Sequence, residues 1–353
     1  MAASVFANRK PRNMRSQNIA VVGATGAVGV EILRVFERRN FPVASLKLLA
    51  SKRSAGKTLE FKGKPHKVEE LTAGAFKGVD IAFFSAGATR SREFVPAAKA
   101  AGAVVIDNSS AFRMDPNTPL VVPEVNAGDL RRHKGVIANP NCTAAILAVA
   151  VWPIHRAVGI RKIVVSTYQS ASGAGAAAMQ ELQDQTREYA EGREITHSVF
   201  PHQIAFNVFS HNTKVAENGY NEEENKVVEE TRKMFHAPDL PILPTCIRVP
   251  VLRAHSESIV LELEAPMSPE EARALLARSP GIRIVDDPAA NHFPMPLEAS
   301  GDLDVHVGRI RRDRTSPNGL ALVVAGDQRL KGAAWNAVQI AEELAKLEVL
   351  AAE

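Results

Sequence analysis

Cys142 is one of two cysteines among 353 residues, and it lies between a short β-like run and an apolar helical run. A helix N-terminus favours the thiolate, which is the reactive form. Asn139 and Asn141 can cap the turn or direct an amide at a developing oxyanion. Pro153 is expected to end the helix about three turns later. Free cysteine is commonly a small buried hydrophobic residue, and position alone leaves both interpretations open.

Three glycines near the start of the chain form a second pattern. An apolar run from residue 18 leads into Gly23, Gly26 and Gly29, and an amphipathic helical run follows. Such glycines let the backbone approach a pyrophosphate, while the helix N-terminus supplies N–H donors. A tight strand-to-helix turn also needs glycine, and GxxGxxG is looser than GxGxxG. In its strand–turn–helix context the pattern predicts a dinucleotide site.

The segment after the second predicted strand indicates which dinucleotide is bound. An NAD site usually carries an acidic residue there, on the ribose 2′-hydroxyl. Here the segment has no acid and contains Lys52, Arg53 and Ser54. A guanidinium and a hydroxyl fit a 2′-phosphate, although a solvated basic loop is the alternative. The sequence therefore favours NADP over NAD.

A nicotinamide site together with a cysteine nucleophile indicates one class of reaction. Thiolate adds to an aldehyde, the hemithioacetal gives a hydride to NADP, and water or phosphate cleaves the thioester. These steps need a base, usually histidine. His255 is the best placed, but a regular strand would put it on the face opposite Arg248. A bulge or turn near Arg253 and Ala254 would be needed, and a satisfied core or surface histidine is the alternative.

The elements that must position these residues change in type along the chain. Up to residue 141, strand-like runs at 45–50, 79–87, 103–110 and 135–141 alternate with helical runs such as 91–102. This alternation predicts a parallel sheet wrapped by helices. Longer alternating runs follow at 161–170, 246–265 and 304–313, and the last is expected to pair with 319–326. Cys246, inside the second of these runs, is expected in the core.

Helical runs separate these later strands. They lie at 176–192, 221–235 and 268–279, where Ser268 and Glu271 are spaced as a capping box. A long amphipathic helix is predicted over 330–350. The fold class is therefore α/β, with a Rossmann-type parallel-sheet nucleotide domain and an α+β catalytic domain whose sheet is mostly antiparallel.

Composition excludes several classes of protein. No apolar run reaches the roughly 18 residues of a membrane span, and two cysteines without a CxxC or HExxH pattern predict a reducing, cytoplasmic compartment and no metal. The net charge is only +4, and no stacking aromatic cluster accompanies it, so nucleic-acid binding is not expected. The basic leader at 9–15 resembles a nucleic-acid arm or transit peptide, but a short disordered extension is favoured.

Eight segments together resemble the aspartate-β-semialdehyde dehydrogenase family. They are GATGAVG (23–29), ASKRSAGK (50–57), DNSSAFR (107–113), NPNCTA (139–144), YQSASGAG (168–175), EENK (223–226), IRVPVLRAHSES (247–258) and LKGAAWNAVQIAEEL (330–344). They follow the family's order over nearly the whole chain. The resemblance implies reversible NADPH-dependent reduction of L-aspartyl 4-phosphate to L-aspartate 4-semialdehyde and phosphate. That reaction leads towards lysine, diaminopimelate, methionine, threonine and isoleucine.

The resemblance also implies roles for individual residues. Cys142 resembles the nucleophile that forms an acyl-thioester, His255 the acid/base, and Gln169 the residue that orients substrate beside the thiol; Asn141 completes the catalytic group. The residues implied to bind substrate are Gln169, Arg248 on the carboxylate, Glu223 on the ammonium, and Lys226 and Arg113 on the phosphate. Without the resemblance, Glu223 and Lys226 would be an ordinary surface ion pair.

The cofactor residues follow in the same way. They are Gly23, Thr25, Gly26, Ala27 and Val28 in the pyrophosphate turn, Arg53 and Ser54 at the 2′-phosphate, Ser172 and Gly173 from the second domain, and Gln328 near the nicotinamide. Gln328 stands where many relatives carry Asn, and Ala138 where Ser is frequent. The implied domains are a disordered extension (1–15), an NADP-binding domain (16–140 and 327–353) and a catalytic and dimerisation domain (141–326), forming a homodimer or a dimer of dimers.

Two further enzyme activities and one non-enzymatic function remain as alternatives. N-acetyl-γ-glutamyl-phosphate reductase uses the same thioester chemistry, but NPNCTA differs from its NPGCYPT-like motif. Acyl transfer to NADP without phosphate is disfavoured by Arg113 and Lys226. A catalytically silent dinucleotide-binding relative is disfavoured by the presence of both Cys142 and His255.

Overall fold

The computed structural model describes residues 15–352, and side chains up to residue 347. The extension predicted for 1–15 therefore lies, apart from Arg15, outside the described residues. The chain forms two compact units. The central unit is Cys142–Gly332, and the terminal unit comprises the described residues up to Asn141 together with those from Ala333 onwards.

Strands and α-helices follow one another along the described part of the chain. The strands are β1 (Gln17–Val22), β2 (Val43–Ala50), β3 (Thr58–Phe61), β4 (Lys64–Glu70), β5 (Ile81–Phe84), β6 (Val104–Asp107), β7 (Val136–Ala138), β8 (Ile160–Gln169), β9 (Phe209–Ser210), β10 (Ile242–Arg248), β11 (His255–Leu263), β12 (Ile282–Ile284), β13 (Val305–Arg312) and β14 (Gly319–Gly326). The α-helices are α1 (Ala27–Arg39), α2 (Ala88–Ala100), α3 (Pro123–Asn126), α4 (Cys142–Val158), α5 (Ala176–Ala190), α6 (Glu222–Phe235), α7 (Pro269–Ala277), α8 (Pro296–Ala299) and α9 (Trp335–Ala352).

The terminal unit is built on a sheet in the order β3-β4-β2-β1-β5-β6-β7. All its strand pairs are parallel except the β3–β4 hairpin at one edge. Strands β1 and β5 are almost entirely buried and apolar, as expected for a parallel sheet covered on both faces. The sequence analysis did not predict β3 and β4, because their mostly exposed, charged residues lack apolar alternation.

The central unit contains a mixed sheet in the order β12-β13-β14-β11-β8-β10-β9. Its antiparallel pairs are β8–β11, β11–β14, β13–β14 and β9–β10, and its parallel pairs are β8–β10 and β12–β13. The predicted fold class, a parallel nucleotide-type sheet plus a mostly antiparallel one, is confirmed. The capping box of Ser268 and Glu271 is also present at the start of α7.

Two details differ from the sequence predictions. The run 246–265 is not one strand, because the chain leaves β10 at Arg248 and enters β11 only at His255. Pro153 does not end α4, which continues to Val158. A proline inside a helix costs ~3 kcal/mol or more, and the burial of apolar residues along this helix, Ile154 included, offsets that cost.

The last helix begins later than predicted. A π-helical turn occupies Leu330–Ala334, and α9 starts at Trp335. In the terminal unit α9 packs against α1, and Arg39 donates to both carboxylate oxygens of Glu342 at 3.1 Å. Within residues 15–352, no helix is both long and apolar enough to cross a membrane.

Candidate functional site

The glycine turn of the terminal unit fits a dinucleotide pyrophosphate. Gly23 has φ +83°, and a Cβ built on it would lie 2.3 Å from the Ser85 carbonyl oxygen. A Cβ on Gly29 would lie 2.3 Å from the Gly23 carbonyl oxygen. Gly26 is the N-cap of α1, and no side chain hydrogen-bonds there. The backbone is therefore packed as closely as a phosphate-binding turn requires, with Thr25 in the turn and Ala27 and Val28 as the first residues of α1.

The turn after β2 carries the basic residues predicted for the 2′-phosphate. It spans residues 51–56; Lys52 and Arg53 are exposed, whereas Ser54 is buried. The Ser54 N–H donates to the Ser51 carbonyl at 2.8 Å, which fixes the turn. Arg53 is thus an exposed residue of the turn that follows the C-terminal end of β2, where dinucleotide-binding sheets hold the adenosine ribose.

Arg113 and Asn139 form a buried polar network in the same unit. Arg113 donates from Nε to the Asn139 carbonyl at 3.0 Å and from Nη2 to the Asn108 carbonyl at 2.8 Å. The Asn139 amide donates to Asn108 Oδ1 at 2.9 Å and accepts from Asn336 Nδ2 at 2.6 Å. Asn139 therefore braces the chain before the cysteine, so the suggestion that its amide faces an oxyanion is not supported. Asn141 is buried directly before Cys142.

The central unit brings Gln169, Arg248 and His255 to one edge of its sheet. Parallel strands β8 and β10 both end there, with Gln169 and Arg248 as register partners. Strand β11 is antiparallel to β8, so its first residue, His255, lies at the same edge. Between Arg248 and His255 the chain turns through Ala254, which has φ +70°. This is the turn that the spacing of the two residues required.

His255 is fully buried, and its Nδ1 faces Ser170. The Ser170 backbone N–H donates to Nδ1 at 3.0 Å, and Ser170 Oγ lies 3.1 Å from the same atom. Nε2 has no hydrogen-bond partner among residues 15–352. Burial, with a smaller effect of the positive charge of Arg248, lowers the pKa of His255 to about 3. The imidazole is therefore neutral near pH 7.

Gly173 packs directly against this imidazole. A Cβ built on Gly173 would lie 3.1 Å from His255 Nε2 and 3.3 Å from Arg248 Nη1. The φ of Gly173 is not in the left-handed region, so glycine is needed here for space rather than for its backbone conformation. The His255 ring and the Arg248 guanidinium therefore both approach the Gly173 backbone more closely than a side chain would allow.

Arg248 is held rigidly and keeps a free donor. Nη1 donates to the Ser170 carbonyl at 2.7 Å, and Nη2 lies 2.8 Å from His211 Nε2. Nε has no partner among the described residues. Burial lowers the pKa of Arg248, and the negative charge of Glu223 opposes that effect. A buried guanidinium with an unused N–H suits a carboxylate ligand.

Gln169, Glu223 and Lys226 continue the site. Gln169 Nε2 donates to Glu223 Oε1 at 3.0 Å, and Thr167 Oγ1 donates to Gln169 Oε1 at 3.1 Å. Lys226 Nζ lies 3.7 Å from Glu223 Oε2, one turn along α6. The N-cap of this helix is Asn221, which forms a capping box with Glu224. Helix α6 therefore offers one carboxylate and one ammonium beside the Gln169 amide.

Cys142 is the first residue of α4 and is partly exposed. A Cβ on Gly332, in the π-helical turn, would lie 2.5 Å from the Cys142 Cβ. Cys142 also acts electrostatically on Arg248, opposing the lowering of the Arg248 pKa. Cys246, by contrast, is fully buried on β10. Burial raises the pKa of the Cys246 thiol, so this cysteine is the core residue that the sequence predicts.

Ser172 and Gln328, predicted to contact the cofactor, form hydrogen bonds with each other. Gln328 Nε2 donates to Ser172 Oγ, and Gln328 Oε1 accepts from the Ala254 N–H at 2.9 Å. Ser172 Oγ lies 3.0 Å from Ser170 Oγ. Both ends of the Gln328 amide are thus engaged inside the central unit.

Sequence reasoning missed three residues of this site. His211 accepts from Arg248, and burial lowers its pKa to about 4. Ser170 contacts His255, and Gly332 packs on Cys142. No spacing rule identifies His211, which is separated from β10 by a whole helix. Ser170 and Gly332 do lie inside segments that carried the resemblance.

Two family models match the chain. The NAD binding domain of semialdehyde dehydrogenase matches residues 18–133, and the dimerisation domain of semialdehyde dehydrogenase matches residues 151–331. The first match lies in the terminal unit and the second in the central unit.

Individual proteins match over almost their full length. Aspartate-semialdehyde dehydrogenase of Synechocystis is 53% identical over 92% of this chain and 96% of its own. The enzyme of Aquifex aeolicus is 52% identical over 93% of this chain and 98% of its own. Among solved structures, aspartate semialdehyde dehydrogenase II from Vibrio cholerae complexed with ASA has a TM-score of 0.92 and 44% identity, covering 94% of this chain and 99% of that one.

Proposed function

The chain belongs to the aspartate-semialdehyde dehydrogenase family, and we propose that it catalyses the reversible, NADPH-dependent reductive dephosphorylation of L-aspartyl 4-phosphate to L-aspartate 4-semialdehyde. One observation carries the proposal most directly. Arg248, with an unused Nε–H, and the neutral His255 both lie against Gly173, and Cys142 acts electrostatically on Arg248. This grouping offers a nucleophile, a carboxylate anchor and a polar group for the reacting carbonyl.

Cys142 is the nucleophile in this proposal. Its sulfur attacks the acyl carbon of the acyl phosphate, forming a C–S bond while the C–O bond to phosphate breaks, so that an acyl-thioester remains on Cys142. The N-terminus of α4 and the nearby Arg248 guanidinium both favour the sulfur anion that this attack needs. The chemistry supplied by bound NADPH is a hydride for the thioester carbon.

The substrate's charged groups match the fixed charges of the central unit. Arg248 binds the α-carboxylate, because its buried planar fork has a free donor. Glu223, already aligned by Gln169, binds the α-ammonium, and Lys226 binds the phosphate; Arg113 of the terminal unit is the second phosphate residue. A free ammonium beside Glu223 favours an amino acid over an N-acetylated one.

The terminal unit is proposed to hold the cofactor. Gly23, Gly26 and Gly29 leave the backbone cradle that a pyrophosphate requires, and the matched model is an NAD binding domain. Arg53 and Ser54 favour NADP, since no acid follows β2. Gly173, Ser172 and Gln328 are assigned to the nicotinamide end of the cofactor. The Gln328 amide is already hydrogen-bonded, so Gln328 contributes by positioning Ser172.

A second copy of the chain is the proposed partner. On the face of the central sheet that carries Tyr168 and Leu243, neighbouring strands present a patch of apolar and small polar side chains. Tyr168 is 41% exposed and Leu243 47%. The register places Tyr168 beside Ile247 and Ser256, and Leu243 beside Val164. Such a face, in a unit that matches a dimerisation domain, fits a homodimer, alone or paired into a dimer of dimers.

The enzyme is proposed to act in the cytoplasm, where its two free cysteines stay reduced. Its product would serve lysine, diaminopimelate, methionine, threonine and isoleucine synthesis. The test is an assay of purified protein with L-aspartate 4-semialdehyde, NADP and phosphate, with NAD, N-acetylglutamate semialdehyde and phosphate-free reactions run in parallel. We expect phosphate-dependent NADPH formation that Cys142→Ala abolishes while the fold is retained. Full activity of that variant, or preference for the acetylated substrate, would contradict the proposal.

A further inference from the structure

His211 joins Arg248 to the first turn of helix α6. It directly follows β9, and its backbone N–H donates to the Cys246 carbonyl of β10 at 2.9 Å. Its Nε2 lies 2.8 Å from Arg248 Nη2, and its Nδ1 lies 3.2 Å from Thr213 Oγ1. Thr213 Oγ1 also accepts from the Glu223 N–H at 3.2 Å. One imidazole therefore connects the guanidinium with the backbone that carries Glu223.

The hydrogen bonds of this link have one consistent direction. A guanidinium donates but cannot accept, so His211 Nε2 must accept from Arg248. Burial lowers the pKa of His211 to about 4, against the opposing charge of Glu223. The positive charges of Arg248 and Lys226 lower this pKa further. The imidazole is therefore neutral near pH 7, and its single proton is on Nδ1, which donates to Thr213 Oγ1.

The contact with His211 helps to fix the orientation of the Arg248 guanidinium. Nη2 donates to His211, with Asn212 Oδ1 as a longer contact at 3.4 Å, and Nη1 donates to the Ser170 carbonyl at 2.7 Å. The guanidinium carbon lies over the Phe200 ring, 5.3 Å from its centroid. Among residues 15–352, Nε has no partner. His211 therefore helps to decide which N–H of Arg248 is left for a carboxylate.

The link also bears on the distance between two proposed substrate anchors. The carboxylate and the ammonium of an α-amino acid are attached to the same carbon, so their separation is fixed. Their proposed anchors, Arg248 and Glu223, belong to different elements, β10 and α6. Gln169 aligns the Glu223 carboxylate from β8, whereas the link through His211 and Thr213 holds the first turn of α6 itself. The spacing of the two anchors therefore depends on this link.

We propose that His211 is a positioning residue that sets the spacing of Arg248 and Glu223, and thereby selects substrates that carry a carboxylate and an ammonium on one carbon. The inference rests on the proposed function, which assigns these two charges to groups of the substrate. His211 does not touch the substrate in this proposal and acts through the two anchors. The ligand class is an α-amino acid with an aldehyde or an acyl phosphate at its far end.

Ligand affinity tests the spacing directly. In Cys142→Ala the nucleophile is absent, so L-aspartate 4-semialdehyde and 4-oxobutanoate, the same molecule without its ammonium, bind without reacting. Calorimetry on the full chain gives both dissociation constants, and their ratio measures the selectivity. In this background His211→Leu should lower the selectivity by about tenfold or more, as expected when a hydrogen bond to a charged group is lost. His211→Gln should retain most of the selectivity, because its amide oxygen can accept from Arg248 and its amide N–H can donate.

Thr213→Val separates the two halves of the link. Valine cannot accept from the Glu223 N–H, while the contact of His211 with Arg248 remains. We therefore expect weaker binding of L-aspartate 4-semialdehyde and unchanged binding of 4-oxobutanoate. A general loss of packing would instead weaken the binding of both ligands alike. His292→Ala, at an exposed histidine of the central unit, is the control and should change neither dissociation constant.

The outcomes that contradict the proposal are distinct from those that contradict the proposed function. An unchanged selectivity in His211→Leu and Thr213→Val, or an equal loss of affinity for both ligands, would overturn the role of His211. Absence of amino-acid binding to Cys142→Ala would overturn it as well. Thermal melting shows whether each variant is folded, and if His211→Leu is not, Thr213→Val decides. The proposed function fails on another result, the absence of phosphate-dependent NADPH formation by the unaltered protein.

Discussion

A Cβ placed on Gly332 would come within 2.5 Å of the Cys142 Cβ. Gly332 lies in a π-helical turn, and such turns are frequent at functional sites. The close contact with this turn therefore restricts the position of the cysteine side chain. No residue other than glycine fits there without displacing the sulfur.

Gly332→Ala should lower activity far more than stability. A displacement of about 1 Å at a reacting atom can cost 10²-fold in rate, so we expect kcat to fall by that order. Steady-state kinetics and thermal melting would measure both effects. Gly128→Ala is the matched control, since a Cβ there meets nothing within 4 Å. Unchanged kcat in Gly332→Ala would show that Cys142 tolerates movement or takes no part in the reaction.

Arg248→Lys should raise the KM for the semialdehyde. Lysine keeps the charge but lacks the planar guanidinium. That group donates to Ser170 and His211 and is proposed to bind the substrate carboxylate. Loss of one charge-assisted hydrogen bond, worth ~1.5–3 kcal/mol, corresponds to a roughly ten- to 150-fold lower kcat/KM. Arg161→Lys, at a site whose side chain is 62% exposed, controls for the substitution itself. Equal kinetics for both variants would refute the carboxylate anchor.

Arg53→Ala should weaken NADP binding without affecting NAD. The guanidinium is assigned to the 2′-phosphate, which NAD lacks, so the KM for NADP should rise by about tenfold or more. Lys64→Ala, another exposed cation of the terminal unit, serves as the comparison. A parallel rise of both KM values would mean that Arg53 supports the fold of the turn rather than cofactor choice.

Glu257→Gln should change how stability depends on pH. Burial raises the pKa of Glu257 well above its ordinary value of 4.5, and both carboxyl oxygens lack partners among residues 15–352. Above pH 4.5 the Glu257 carboxyl loses its proton in the unfolded chain but keeps it in the folded chain. The unfolding free energy therefore falls by about 1.4 kcal/mol per pH unit until the pH reaches the pKa of Glu257 in the folded chain.

Denaturant unfolding between acid and neutral pH would measure this difference. The glutamine variant should equal the unaltered protein below the unfolded pKa and become progressively more stable than it as pH rises. Glu270→Gln changes an exposed residue of α7. The unfolding free energy of this variant should differ from that of the unaltered protein by the same amount at every pH. Parallel curves for Glu257→Gln would mean that the carboxyl is ionised in the folded protein.

Tyr168→Asp should convert the proposed dimer to monomers. The substitution places a charge at the centre of the exposed sheet face, next to Ile247 and Ser256, where burial without a partner is costly. Analytical ultracentrifugation would report the mass. Tyr189→Asp, at a 63% exposed site on α5, should not change it. Identical assembly of both variants would place the interface elsewhere.

The sequence predicts those features that depend on local periodicity. The strand–glycine–helix run predicted at 18–39 and the β13–β14 hairpin are confirmed because burial pattern and turn residues lie close together in sequence. The β3–β4 hairpin has no such signal, and its pairing with β2 decides its structure. The helical continuation past Pro153 depends on packing that no local rule contains.

The candidate site also has some features that the sequence predicts and others that it does not. Residue type and motif identify Cys142, Arg248 and His255, but not that Ala254 must adopt φ +70° to bring the last two to one sheet edge. The direction of the hydrogen bond to His255 Nδ1 depends on the Ser170 backbone N–H, which has no sequence signature at all.

The discontinuous terminal unit imposes an order on biosynthesis. Arg39 and Glu342 are ion-paired although 303 positions separate them, and at ~5–20 residues per second a ribosome needs about 15–60 s to add that length. The nascent terminal unit emerges first yet is completed last, while the contiguous central unit has all its residues available earlier. The apolar residues of the terminal unit that pack against α9 stay exposed until α9 has been synthesised. This unit is therefore the part of the chain that depends most on chaperones during translation.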